Sequence, residues 1–222
     1  MTADAADRLP EWLHQLRDAI KRVRPEDLSR MLPPDDDNLR ESAVLVLFGE
    51  GADGPDVLLI ERAHDLRSHA GQPAFPGGRV DEGDDGVEAA ALREAAEETG
   101  LDPAGVQVFA LLPPLWLQVS NFSVVPVLAW WRSPSPVGVV DPAECASVHR
   151  VPIAELTDPA NRLLVRHPLG HVGPAFRVRG LLVWGFTAGL LDRLLAVAGW
   201  ERPWDHSRVE ELRPGGSVGV VR

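Results

Sequence analysis

The stretch 77–101 constrains the fold of this chain more than any other part of the sequence. It opens with two glycines, passes through an acidic loop, and then sets charged residues among alanines up to a closing glycine and leucine. Asp84 or Asp85 is placed to cap a first helical turn, Glu88 stands where a capping-box acid belongs, and a glycine commonly follows the end of a helix. The sequence therefore predicts a helix over 87–99 that is entered from a glycine-rich loop.

The predicted helix carries three carboxylates on one face. Residues three and four positions apart lie on the same side of a helix, so one stripe changes from small apolar residues to Glu94, Glu97 and Glu98. Unpaired carboxylates repel each other, and burial raises that cost. Mg²⁺ or Mn²⁺ accepts such oxygen ligands and completes its shell with phosphate oxygens. Arg93 can pair with the same carboxylates. The pattern favours a metal site for phosphate chemistry over a solvated acidic face.

The composition excludes several classes of function. The chain has 222 residues, 45% hydrophobic and 25% charged, which suits one domain with a substantial core. Its net charge of −11 argues against binding to nucleic acid or an anionic membrane, so a phosphorylated ligand needs a local cation. No apolar run reaches the roughly 20 residues of a membrane span, and the start is polar and acidic. The single cysteine, Cys145, permits no internal disulfide. We expect a soluble, cytoplasmic protein with a small-molecule substrate.

Three segments are predicted along the chain. Residues 1–40 contain an amphipathic helix over 9–23 and then an acidic, proline-rich linker. That helix packs either on the main domain or, in a homodimer, on a second copy. Residues 41–199 form the main domain. Residues 200–222 form a tail rich in proline, glycine and charge, for which no regular element is predicted.

Within the main domain, strands and helices are interleaved without strict βαβ repetition, which indicates an α/β or α+β fold with a mixed sheet. Two apolar runs around a glycine-rich turn predict a hairpin of strands 43–48 and 56–60. A second long helix is predicted over 182–197. Further strands are expected at 106–112, 122–131 and 176–178.

The stretch 77–101 resembles the signature of the Nudix hydrolases: a glycine, a variable loop and then Arg-Glu-x-x-Glu-Glu-x-Gly. The match runs here from Gly78 to Arg93-Glu94-Ala95-Ala96-Glu97-Glu98-Thr99-Gly100-Leu101. The general signature has a glutamate six residues after the glycine and seven residues between that glutamate and the arginine, whereas this chain has Asp84 and eight residues between it and Arg93. The coenzyme A diphosphatase subgroup is similar in this respect, with an aspartate and one extra residue in the loop.

A second motif of that subgroup, Leu-Leu-Thr-x-Arg-Ser/Ala-x3-Arg-x3-Gly-x3-Phe-Pro-Gly-Gly, lies just upstream. The chain departs from it only at Ile60. It reads Leu58-Leu59-Ile60-Glu61-Arg62-Ala63, then Arg67, Gly71 and Phe75-Pro76-Gly77-Gly78. Similar segments follow at Pro174-Ala175-Phe176 and 182–188, so the resemblance covers about residues 42–195.

The resemblance implies an α/β/α sandwich with a mixed sheet, in which the signature forms a loop–helix–loop metal site. Arg93 would orient the carboxylates. The implied reaction is hydrolysis of the diphosphate bond of coenzyme A or its derivatives, which gives 3′,5′-ADP and 4′-phosphopantetheine. The implied ligands of Mg²⁺ or Mn²⁺ are the Gly78 carbonyl, Glu94, Glu97 and Glu98.

Several roles stay open at this stage. The general base is either Glu98 or Glu144, an acid of a later loop that is as readily a surface residue. Arginine suits phosphate because its donors form a planar fork, whereas His64 and His69 are expected to be solvated loop residues. The residues expected to bind substrate are Arg62, Arg67, Phe75 and Arg79. Alternative substrates are ADP-ribose, a dinucleotide or another nucleoside diphosphate derivative. A non-catalytic nucleotide sensor is the third alternative, against which retention of the metal carboxylates counts.

Overall fold

The computed structural model describes residues 9–28, 39–66, 69–117, 121–212 and 218–219. The helices are α1 (Glu11–Ile20), α2 (Pro25–Leu28), α3 (Val87–Thr99), α4 (Ile153–Thr157) and α5 (Gly185–Val197). The strands are β1 (Arg40–Gly51), β2 (Gly54–Arg62), β3 (Pro73–Ala74), β4 (Gly77–Arg79), β5 (Val106–Leu111), β6 (Leu115–Leu117), β7 (Phe122–Trp131), β8 (Cys145–Pro152), β9 (Arg162–Arg166), β10 (Val172–Val178), β11 (Leu181–Val183), β12 (Val209–Leu212) and β13 (Val218–Gly219). Within these ranges, no helix combines the length and the apolar character needed to cross a membrane.

The larger sheet is mixed and is built around β1. Along one side β1 runs parallel to β7, and along the other it is antiparallel first to β4 and then to β2. The β1–β2 hairpin agrees with the prediction. Strands β3 and β8 pair with β2, while β5 and β6 pair with β7. Because β1 changes partner midway, β4 and its two glycines are inserted beside the central strand.

Helix α3 covers one face of this sheet. Its alanines Ala90, Ala91 and Ala95 are fully buried against Leu45 and Leu47 of β1 and their neighbours. Small side chains let the helix axis approach the strands closely, which brings the carboxyl-terminal half of α3 next to β4. The alanine-rich stripe seen in the sequence is therefore the contact surface between helix and sheet.

The opposite face is covered by α1, α5 and the second sheet. Leu13 and Leu16 of α1 are fully buried in the same core as residues of α5 and β1. The Trp12 ring lies 5.9 Å from the ring of Trp130 and 5.5 Å from that of Trp200. Of the two predicted positions for the first helix, the structure shows packing on its own chain. The layers form the expected α/β/α sandwich.

The second sheet has the strand order β11-β10-β9-β12-β13, with β12 parallel to β9 and its other pairs antiparallel. Its inner face holds Arg162, which is fully buried. The guanidinium pairs with Asp192 of α5 and lies 3.6 Å from Glu201. It also stacks between two aromatic rings, 4.7 Å from that of Phe176 and 4.6 Å from that of Trp204.

Two elements have the bounds that the sequence predicts, and others differ: α1 is shorter than the predicted 9–23, and β8 was not predicted. The observed α3 and β7 match the predicted ranges, and Gly100 adopts the expected left-handed conformation at the end of α3. Residues 182–183, predicted as helix, belong to β11, so α5 begins only at Gly185. The tail, for which no element was expected, contributes β12 and β13.

The bounds of α3 agree with the prediction, but its capping does not. Gly86 occupies the capping position, and neither Asp84 nor Asp85 supplies a side-chain cap. The division of the chain into segments 1–40, 41–199 and 200–222 stays a prediction.

Candidate active site

The two glycines of β4 meet the carboxylates of α3. A Cβ added at Gly78 would overlap the carboxyl group of Glu94, so this glycine lets the carboxylate lie directly against the strand backbone. Gly77 has a φ of 153°, and a Cβ there would overlap the carbonyl oxygen of Ala43. Its N–H donates a hydrogen bond of 3.0 Å to Oε2 of Glu98. Both glycines are therefore needed for helix and strand to share this contact.

Arg93 organises the acidic residues around it. Its Nε and Nη2 donate to the two carboxylate oxygens of Asp84 at 2.8 and 3.0 Å, which is a bidentate pair. Its Nη1 lies 3.1 Å from both Glu94 Oε1 and Glu97 Oε2. The Arg93 guanidinium lowers the pKa of Asp84 to about 2. This non-local pair occupies the carboxylate that the sequence assigned to capping, and so explains why Asp84 does not cap α3.

The Glu98 carboxyl is buried and has few neighbouring groups that stabilise its negative charge. Only 4% of the residue is exposed. Desolvation raises its pKa to about 7, against the Gly77 N–H and Arg62, which lower it. Burial likewise raises the pKa of Glu94, against the Arg93 guanidinium. Two neighbouring carboxyls thus disfavour ionisation, as is typical of a site that is completed by a cation.

Arg62 brings positive charge to Glu98 from the end of β2. Its Nη1 lies 4.0 Å from Oε1 of Glu98. The ladder between β2 and β8 shifts register between Glu61 and Arg62, a bulge of the kind that redirects a side chain next to a site. The Arg62 Nε is buried and has no hydrogen-bond partner among the described residues. The guanidinium therefore keeps donor capacity for a further acceptor.

Glu144 reaches the same group from the loop between β7 and β8. Its side chain is exposed, and its negative charge raises the pKa of both Glu94 and Glu98. Its backbone carbonyl accepts a hydrogen bond of 2.9 Å from the Ala63 N–H, next to Arg62. The loop thus places the Glu144 backbone next to the segment that carries Arg62.

The carboxylate oxygens of this site suit a hard cation. The three glutamates that were predicted as metal ligands nevertheless contact different groups in the structure. Among the residues that the structure describes, no three His, Cys, Asp or Glu side chains are grouped to hold an ion. Glu97 has a side chain that is 58% exposed and is held by Arg93, whereas Glu94 and Glu98 face the glycines of β4. A divalent ion would be held by Glu94 and Glu98, and it would compete with Arg93 for Glu94 and Glu97. The under-compensated charge of Glu98 is the observation that fits such an ion.

Two of the other predicted substrate residues, Phe75 and Arg79, lie away from the carboxylate group. Phe75 is 3% exposed and packs in the main core, so its ring does not line the carboxylate group. Arg79 alternates with Gly78 along β4, so its exposed side chain leaves on the other face, while its carbonyl accepts from Arg93. Arg67 lies outside the described residues. His64 and His69 are exposed, as predicted for loop residues.

Two contacts of this site were not anticipated from the sequence. They are the hydrogen bond from the Gly77 N–H to Glu98 and the bidentate pair between Arg93 and Asp84. The paired glycines and the aspartate inside the signature loop were the available signals. Cys145 is fully buried beside this group, and its thiol donates to the Ser147 carbonyl at 3.3 Å.

The chain is similar to several known proteins. The family model described as NUDIX domain matches residues 38–169. A Cronobacter sakazakii protein named an uncharacterized Nudix hydrolase NudL is 41% identical over 75% of this chain and 86% of its own. A Klebsiella pneumoniae protein of the same name is 37% identical over 86% and 95%. The crystal structure of the Nudix hydrolase RenU from M. smegmatis superposes with a TM-score of 0.52 at 19% identity, covering 75% of this chain and 90% of that one.

Proposed function

Since this chain belongs to the Nudix hydrolase family, we propose that it hydrolyses the diphosphate bond of coenzyme A or its derivatives in a metal-dependent reaction, giving 3′,5′-ADP and 4′-phosphopantetheine. One observation carries the chemistry. Two carboxyls with raised pKa values, Glu94 and Glu98, lie together against a glycine strand beside Arg62. Such a group is costly to maintain unless a cation and an anionic ligand complete it.

The proposed ion is Mg²⁺ or Mn²⁺, held by Glu94 and Glu98 with the backbone at Gly78, and by Glu97 once it leaves Arg93. When bound, the ion supplies positive charge that neutralises the diphosphate and lowers the pKa of an attacking water. Arg93 is anchored by Asp84 and holds the acidic side chains of α3 in place. These carboxylates are therefore positioned before an ion binds.

The remaining roles, binding of the diphosphate and removal of the water's proton, are assigned to side chains of this site. Arg62 offers donors beside Glu98, and an arginine fork suits the oxygens of a diphosphate. The water's proton goes to Glu98 or to Glu144, both of which lie in this group. We assign the base to one of these two carboxylates, because a general base must stand within hydrogen-bond reach of the proton that it removes.

The choice of coenzyme A rests on the sequence motif around Arg62. That motif runs from Leu58 to Gly78, and two of its residues, Arg62 and Gly77, both lie next to the Glu98 carboxyl in the structure. The departure at Ile60 and the buried position of Phe75 leave ADP-ribose, a dinucleotide or another nucleoside diphosphate derivative as the second candidate.

The proposal is tested by incubating the purified protein with coenzyme A, ADP-ribose and a dinucleotide, each with Mg²⁺, Mn²⁺ or a chelator. The products are identified by mass. Glu98→Gln and Glu97→Gln test the carboxylates, and Glu88→Gln is the matched control, because Glu88 is exposed in the first turn of the same helix. We expect metal-dependent release of 3′,5′-ADP that Glu98→Gln abolishes and Glu88→Gln preserves.

The other outcomes separate the alternatives. Cleavage of ADP-ribose without cleavage of coenzyme A would keep the mechanism and overturn the substrate. Nucleotide binding without turnover, in every combination of substrate and metal, would identify a sensor and overturn the enzymatic proposal.

A further inference from the structure

The loop between β7 and β8 is fastened to the end of α3. The Gly138 N–H donates to the Thr99 carbonyl at 2.9 Å, and the Val140 N–H donates to the Glu98 carbonyl at 3.4 Å. These carbonyls belong to the last turn of α3 and have no partner within the helix. The loop therefore takes its position from the residue, Glu98, whose side chain lies at the centre of the candidate site.

A tight turn at Asp141 follows this fastening. The Asp141 carboxylate accepts a hydrogen bond of 2.8 Å from the Ala143 N–H. Its carbonyl accepts from the N–H groups of Glu144 and Cys145 at 3.1 and 3.0 Å. The Glu144 carbonyl in turn accepts from the N–H of Ala63, which directly follows β2. Glu144 is thus held from both sides, by Asp141 and by the segment that carries Arg62.

The chain contains the same turn in two other places. The tripeptide Asp-Pro-Ala occurs at 102–104, 141–143 and 158–160. In each, the alanine N–H donates to the aspartate Oδ1, at 3.0, 2.8 and 2.9 Å respectively. The copy at 141–143 is the one followed by an acid, Glu144, whose backbone carbonyl accepts from the Ala63 N–H next to Arg62. The three turns therefore have the same local hydrogen bond. Only the turn at Asp141 is followed by an acid that is hydrogen-bonded to the segment of Arg62.

We propose that Asp141 is a positioning residue for the diphosphatase reaction, because its turn holds the Glu144 backbone between the end of α3 and the segment that carries Arg62. This inference rests on the proposed function. Asp141 itself has its carboxylate engaged by the turn and does not touch the reacting atoms. Its effect on the reaction is exerted through Glu144.

Three variants test the inference by steady-state kinetics on the diphosphate that the wild type cleaves. Asp141→Ala removes the acceptor, Asp141→Asn retains a side-chain oxygen that can accept from Ala143, and Asp158→Ala removes the same hydrogen bond from the matched turn. We expect Asp141→Ala to lower kcat about tenfold or more with KM changed less than about twofold, because misplacing a catalytic group acts on turnover. Asp141→Asn and Asp158→Ala should stay near the wild type.

A double-mutant cycle with Glu144→Gln separates positioning from general damage. If Asp141 acts through Glu144, Asp141→Ala lowers kcat no further once Glu144 has become glutamine. Amide hydrogen exchange gives a readout that needs no turnover. Exchange over 142–146 should accelerate in Asp141→Ala and not in Asp141→Asn.

Several results would overturn the inference. These are equal kcat in Asp141→Ala and Asp158→Ala, full kcat in Glu144→Gln, an undiminished effect of Asp141→Ala in the Glu144→Gln background, or no rescue by Asp141→Asn. Each of them leaves an active wild type, and so leaves the proposed function standing. A wild type that cleaves no diphosphate would overturn both.

Discussion

Glu98 and Arg162 are both buried charged residues, and their surroundings differ in a way that separates function from stability. Arg162 is fully buried, and although its Nε and Nη1 have no hydrogen-bond partner among the described residues, its charge faces carboxylates from Asp192 and Glu201 and two aromatic rings. Glu98 is buried to nearly the same extent and has one backbone N–H and a guanidinium at 4.0 Å. The first charge is compensated by the fold itself. The charge of Glu98 lacks such compensation within the fold, which is typical of a residue that binds a ligand or takes part in catalysis.

The sharpest test of this contrast is Glu98→Gln. We expect kcat for the proposed reaction to fall about a thousandfold, which corresponds to about 4 kcal/mol of transition-state free energy, because the metal loses its buried ligand. Initial rates with Mg²⁺ at saturating substrate measure the effect. The variant should remain folded by circular dichroism. Full activity in this variant would place the catalytic ion elsewhere.

Arg162→Met should have the opposite effect to Glu98→Gln, with lower stability and little change in activity. Removing one partner of a buried ion pair leaves uncompensated charge, so we expect the free energy of unfolding to fall by about 3 kcal/mol. Folded variant protein should keep a near-normal kcat. Chemical denaturation measures the change, and Arg166→Met is the control on the same strand, because Arg166 forms an exposed pair with Glu211. Equal effects of both variants would contradict the view that Arg162 is a structural centre.

The pH dependence of stability offers a further comparison. Because the pKa of Glu98 is raised from 4.5 to about 7, the metal-free native state holds this proton more tightly than the unfolded state does. Its contribution to the free energy of unfolding is therefore present below about pH 4.5 and is lost as the pH rises through about 7. In chelator, the difference in unfolding free energy between wild type and Glu98→Gln should shift by about 2 kcal/mol between pH 5 and pH 8, to the disadvantage of the wild type. A pH-independent difference would show that Glu98 titrates normally.

The smallest expected effect comes from Gly78→Ala. The added methyl group would overlap the Glu94 carboxyl, which can swing away, so stability should change little while kcat/KM falls roughly tenfold, about 1.4 kcal/mol. Gly83→Ala is the control in the same loop region, because a Cβ there meets nothing within 4 Å. If both variants behaved alike, the close approach of Glu94 to β4 would have no functional meaning.

The sequence predicts those parts of the fold that have a local pattern. The helix over 87–99 and the strand over 122–131 are long and periodic, and their bounds agree with the structure. Strand β12 was not predicted, because it is short and is stabilised by parallel pairing with β9, which lies far away along the chain. Residues 182–183 looked helical because apolar strand and helix residues are hard to distinguish over a short run.

The candidate site divides in the same way. The spacing of residues on α3 predicts that Glu94, Glu97 and Glu98 share a face, whereas no local rule assigns Asp84 to Arg93 instead of to a helix cap. The same limit applies to Phe75, which occupies a motif position and lies in the core. A motif identifies residues that matter together, and only tertiary structure shows which of them face a ligand.

The tryptophan contacts between α1 and residue 200 bear on how the chain folds while it is being made. Trp12 leaves the ribosome well before Trp200, its neighbour at 5.5 Å, by roughly 10 seconds or more at about 5–20 residues per second. During that interval the apolar side of α1, which includes Leu13 and Leu16, lacks part of the surface that finally buries it. Docking of the first helix should therefore be among the last steps of folding. Nascent chains halted before residue 200 should expose this helix to chaperones and proteases.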